Sequence, residues 1–146
     1  MKILLHENRF IKAYHYPSLQ FLDTIWFTTA QMLDEEYRNL MGTYLYCVEK
    51  CRPSYVMIDS QAARYSIAPD MQDWVNEKVY PQAVAWGVRR LAFVVSQEFY
   101  TQMSLEQVVE DSKQMIPNLK QGFFQHREEA KKWLFKDDSE TLHLLF

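Results

Sequence analysis

The stretch Ser54-Tyr-Val-Met-Ile-Asp-Ser-Gln-Ala-Ala-Arg-Tyr-Ser-Ile-Ala-Pro69 governs how the rest of the chain is read. Tyr55 to Asp59 is too short and too apolar to face water on both sides, so it predicts a central strand of a sheet. It stops at Asp59-Ser60, continues as a polar, aromatic loop, and meets Pro69, a residue suited to the first turn of a helix. In open α/β sheets ligands and chemistry gather beyond the carboxyl ends of the strands. The loop from Ser60 to Ala68 is therefore the first place to look for function.

Upstream, Met1 to Glu7, Phe10 to Tyr16 and Leu19 to Thr28 are rich in Phe, Ile, Tyr, Trp and Thr and are separated by short polar breaks. They predict a three-stranded antiparallel meander. From Asp34 to Cys51 the apolar residues Tyr37, Leu40, Met41, Tyr44, Cys47, Val48 and Cys51 fall on one helical face, and Pro53 closes the segment. Downstream, Pro69 to Trp86 predicts a helix broken near Pro81 and stopped at Gly87. Leu91 to Ser96 follows as a buried strand, and Ser104-Leu-Glu-Gln107 has the form of a capping box opening another helix. Gln121 to Gln125 predicts an edge strand and Arg127 to Phe135 a short helix burying Ala130, Trp133 and Leu134. Alternating strands and helices imply parallel pairing and an α/β mixed sheet.

With 146 residues, the chain has the length of one ordinary domain, expected over residues 1–135. The remainder, 136–146, ends in Leu142, Leu144, Leu145 and Phe146, an apolar cluster expected to dock, against a second copy in a homodimer. A net charge of −3 argues against a partner bound through a phosphate backbone, so no nucleic acid is expected. Uninterrupted apolar runs are a few residues long, so no membrane span is expected, and a charge arrives too early for a signal peptide. The expected compartment is the cytoplasm. Cys47 and Cys51 lie one helical turn apart, side chains pointing the same way, and are expected to be free buried thiols. His6, His15, His126 and His143 lie in unrelated segments with no zinc spacing, so no metal and no cofactor are expected.

The order of these elements, with Tyr55-Val-Met-Ile-Asp59, Ile67-Ala-Pro-Asp-Met-Gln-Asp-Trp74, Pro81 and Gly87-Val-Arg-Arg-Leu-Ala-Phe-Val-Val95, resembles the small STAS-like proteins related to anti-sigma-factor antagonists, in a bacterial branch seen in Bacteroidetes. The likeness covers residues 1–135. It implies a STAS-like mixed sheet with helices packed on it, and protein–protein regulation rather than catalysis. Antagonists of this type carry an Asp-Ser-Ser-Gly-like stretch whose serine is phosphorylated by a partner kinase. Here the matching approach to the helix is Tyr65-Ser66-Ile67-Ala68-Pro69, with Ser66 displaced and no glycine after it, so the phospho-switch does not carry over.

Asp59 and Ser60 admit two readings: a nucleophile or ion-binding group at a strand end, or residues that hydrogen-bond a turn. No base is paired with them in a motif, and no phosphate loop, Gly-x-Ser-x-Gly or His-Glu-x-x-His occurs, which favours the turn. Gln61, Arg64, Tyr65 and Ser66 complete the candidate loop. Arg and Tyr serve as interface anchors, yet a tyrosine here could equally fold back on the sheet. Two functions follow: a non-enzymatic module presenting residues 60–68 and the next helix start to a protein partner, or a small-ligand binder or minor enzyme with a pocket between meander and helices and Asp59 as its polar group.

Overall fold

The computed structural model describes residues 1–137, which form one mixed six-stranded sheet with helices on both faces, the predicted α/β class. Three antiparallel strands come first, β1 (Ile3–Glu7), β2 (Ile11–Tyr16) and β3 (Phe21–Trp26), making the expected meander. Then follow α1 (Asp34–Cys51), β4 (Tyr55–Asp59), α2 (Pro69–Lys78), α3 (Tyr80–Ala85), β5 (Arg90–Val94), α4 (Phe99–Met115), β6 (Lys120–Phe124) and α5 (Arg127–Leu134). From β3 onward the pairing is parallel, and the spatial order of the six strands is their chain order. The expected docking of the tail on a second copy falls on residues 138–146, outside the described residues.

That order determines where the helices lie. Each crossover from β3 to β6 steps one strand in the same direction, and right-handed crossovers stepping one way put their helices on one face. The first four helices accordingly share a core with Leu22, Val56, Leu91 and Phe93. The last helix has no strand to return to, and it packs beneath the sheet, where Ala130, Leu134 and Phe135 meet Phe21, Met57, Ala92 and Val94. With cover on both sides, every residue of β5 is buried. Leu134 and Phe135, at 0% and 1% exposure, each contribute about 1.5–3 kcal/mol by leaving water.

Local chemistry sets the boundaries. In α1, Tyr37, Leu40, Met41, Tyr44, Cys47 and Val48 are buried as their spacing predicts, and the helix ends at Arg52, whose N–H still bonds the Val48 carbonyl while its left-handed φ of 46° turns the chain out of the helix. The segment around Pro81 is two helices meeting at Val79, with the proline in the first turn of α3, where a missing N–H costs little. Gly87, at φ 111°, makes the turn into β5.

One expectation is corrected. The helix predicted to open at Ser104 begins five residues earlier, and its cap is Glu98, whose carboxylate accepts the Tyr100 and Thr101 N–H groups at 3.2 and 2.6 Å. Glu is an unusual cap, but its side chain reaches the free amides of the first turn. Ser104 lies inside the helix, donating to the Thr101 carbonyl and accepting the Ile67 N–H at 3.0 Å. Among the described residues no helix is long and apolar enough to cross a membrane.

Candidate functional site

The end of β4 is where the two faces of the sheet part company. Side chains alternate along a strand, so Val56 and Ile58 enter the helical core while Met57 and Asp59 project to the α5 side. There Asp59 is 5% exposed, and the first residue of α5, Arg127, donates to its Oδ2 at 2.9 Å. The same guanidinium pairs with Asp23, 3% exposed on the neighbouring β3. Arg127 is held above its ordinary pKa because hydrogen bonds and charge attraction from these two carboxylates outweigh its partial burial. The other Asp59 oxygen accepts the Gln61 N–H at 3.2 Å and its side-chain amide at 3.1 Å. The turn-binding role read from the sequence is present, joined by a buried ion-pair cluster.

α5 is therefore fastened at both ends by arginine. Arg90 of β5, itself 9% exposed, donates to the Trp133 and Leu134 carbonyls at the end of that helix, at 3.2 and 3.0 Å, and pairs with Asp137. A cation on the last carbonyls satisfies orphan acceptors and favours the negative end of the helix dipole.

The loop after Asp59 is a fixed ledge. Ser60, Ala63, Tyr65 and Ile67 point inward, whereas Ala62, Arg64, Ser66 and Ala68 are exposed. The inward side is tied on several sides: the Arg64 N–H donates to the Thr28 carbonyl at 2.9 Å, the Ser96 hydroxyl to the Ala63 carbonyl at 2.8 Å, and the Ile67 N–H to Ser104. Tyr65 folds back rather than outward. Its ring stacks on Tyr37 at 4.3 Å and its hydroxyl donates to Asp34 at 2.6 Å, so it is an internal brace and not an exposed anchor. Its phenol is raised, first by burial and then by that carboxylate. Ser60 is 2% exposed and likewise faces inward. Of the six candidates, Arg64 and Ser66 are fully presented, Gln61 half so, and Asp59, Ser60 and Tyr65 are structural.

The presented residues join others that sequence reasoning missed. The loops leaving β3, β4 and β5 frame a groove of about 530 Å³ lined by Gln31, Arg64, Ser66, Glu98 and Tyr100, among others. Beside it stand Phe99, Tyr100 and Met103, at 67, 68 and 51% exposure, on the first turns of α4. Their detectable signal was Glu98-Phe-Tyr-Thr101 as a cap and first turn, which the more familiar pattern at Ser104 concealed. Asp23 was the one charge in an apolar strand, and Arg127 opened a helix; only the sheet brings them to Asp59.

An apolar cavity of about 70 Å³ does lie between sheet and helices, but Asp59 projects from the opposite face and does not line it, which corrects its expected role as that pocket's polar group. Cys47 and Cys51 are free, with burial pushing their thiols up to about 11 and about 12. Among the described residues, no group of three or more His, Cys, Asp or Glu side chains is placed to hold a metal ion. No family model matches the chain, and neither a curated protein nor a solved structure matches it.

Proposed function

We propose that the protein is a non-enzymatic interaction module that docks a protein partner on the carboxyl edge of its sheet. The observation that carries this reading is the joint exposure of Phe99, Tyr100 and Met103 beside a groove bearing Arg64 and Ser66. Aromatic residues, Met and Arg are the side chains enriched in interface cores, and large apolar side chains clustered in water are unfavourable unless something covers them. The anchored ledge adds to this: a surface already ordered before binding loses less conformational entropy when a partner arrives. The proposed STAS-like relationship points the same way, toward regulation by protein contact. In this reading docking needs no phosphate on Ser66, and phosphopeptide mass spectrometry of the native protein is expected to find that serine unmodified; heavy phosphorylation with a changed affinity for Ser66→Asp would restore a switch.

The deciding experiment is quantitative affinity capture from native cells followed by calorimetry with the purified partner. Tyr100→Ala should weaken binding more than tenfold, as expected of a central aromatic anchor. Tyr46→Ala, on an exposed site of α1, serves as the control and should leave affinity unchanged. Equal affinities for the native chain, Tyr100→Ala and Phe99→Ala would refute this placement.

A further inference from the structure

The cavity between the sheet and the first four helices has a composition unlike an ordinary packing defect. Its walls include Trp26, Met41, Ile58, Phe93 and Val108, and no charged side chain lines it. Four tyrosines also line it, of which two have their hydroxyls occupied: Tyr65 on Asp34, and Tyr80 on Gln121 at 2.8 Å. Tyr37 and Tyr44 differ. They lie two helical turns apart on the same face of α1, are 6% and 4% exposed, and make no hydroxyl hydrogen bond to any described residue. Both rings are held by aromatic neighbours, Tyr37 by Tyr65 and Tyr44 by Trp26 at 5.6 Å. With neither hydroxyl engaged by a described residue, an occupant of this space that can bond to them is favoured over a purely apolar one.

We propose that this cavity is a binding site for a small uncharged molecule with an apolar body and one alcohol or carbonyl oxygen, bonded by the Tyr37 and Tyr44 hydroxyls. The walls exclude ions, because no counter-charge is present to offset the loss of hydration. Size sets the class further. A dry cavity of roughly 150 Å³ accommodates benzene, so about 70 Å³ suits a molecule, or the end of one, of about three or four non-hydrogen atoms. Thr28 lines both this cavity and the groove above it, so the two spaces share a wall at the carboxyl edge of the sheet.

The test is a titration of the full chain with 2-propanol, read by methyl NMR, with xenon as a probe that fills apolar space without hydrogen bonding. Saturable shifts are expected at the methyls of Met41, Ile58 and Val108 and not at the exposed Met115. Tyr37→Phe and Tyr44→Phe keep the rings and should each weaken 2-propanol about 3- to 10-fold, the loss of one ordinary hydrogen bond, while leaving xenon affinity unchanged. Shifts that rise without saturating, xenon binding with no saturable 2-propanol, or unchanged 2-propanol affinity in both variants would overturn the proposal. The localisation of shifts in the native chain stands even if a variant fails to fold.

Discussion

Replacing Arg127 with methionine should cost about 2–4 kcal/mol of stability. Methionine keeps much of the aliphatic volume and removes the guanidinium, leaving the side chains of Asp23 and Asp59, at 4% and 7% exposure, without their cation. Removing one partner of a buried ion pair typically costs about 3–5 kcal/mol, because the remaining charge has lost its water and its counter-ion. Two features lower the figure here. Arg127 is 28% exposed, so solvent already screens part of the attraction, and Asp59 retains the Gln61 amides. The loss falls mostly on Asp23, whose Oδ1 is buried with no hydrogen-bond partner. Urea denaturation followed by tryptophan fluorescence reads the effect, with Trp133 reporting on α5 itself. Adding Asp23→Asn to the methionine variant should recover about 1 kcal/mol or more, since neighbouring charges are not additive. Arg127→Lys should fall between, as a single ammonium cannot fork to two carboxylates. A methionine variant within about 0.5 kcal/mol of the native chain would place it among ordinary surface substitutions and refute the reasoning.

Gly87→Ala should destabilise by about 1–2 kcal/mol; a Cβ there meets nothing within 4 Å, so the whole cost comes from its φ of 111°, and an unchanged urea midpoint would mean the turn adjusts freely. Ala68→Asp should add about 0.5–1 kcal/mol by capping α2. Its position is exposed, extended at ψ 157° and unsupplied with a side-chain bond, and a lower melting temperature would show that the charge is not tolerated beside Asp70. Acid sensitivity should include Glu98, whose carboxyl is held below its ordinary value chiefly by the Thr101 N–H and then by the Thr101 hydroxyl. A depressed native pKa stabilises above the ordinary carboxylate range and ceases to do so as pH falls through the lowered value. Glu98→Gln should therefore flatten that part of the melting-temperature profile between about pH 5 and 3, and an unaltered slope would refute the cap's role.

Much of the fold was legible because its signals are local. Seven apolar positions at helical spacing from Tyr37 to Cys51 specify α1 whatever surrounds it, Pro69 and Pro81 restrict their own dihedrals, and Gly87 opens a conformation closed to other residues. The start of α4 was misread because two cap-like patterns compete there. Ser104 matches the more usual one, but its hydroxyl is engaged by the Ile67 N–H, a partner 37 residues away that no local pattern contains. A loop after β4 was legible, but which of its side chains turn inward was left open: Tyr65 and Arg64 are both interface-prone by type, and only contact with Tyr37 and Asp34 draws one of them inside.

By itself the sequence determined the class of fold, the run of strands and helices, the helical face of α1, a break near Pro81 and the loop at the carboxyl end of β4. These depend on side-chain period and backbone freedom, which act over a few residues. Tertiary structure alone decided that α5 crosses beneath the sheet, that Arg127 joins Asp23 to Asp59 across 104 and 68 residues of chain, and that Phe99 and Tyr100 stand beside Arg64. Those juxtapositions follow from strand order and crossover hand, which bring distant segments together without leaving a mark in either one.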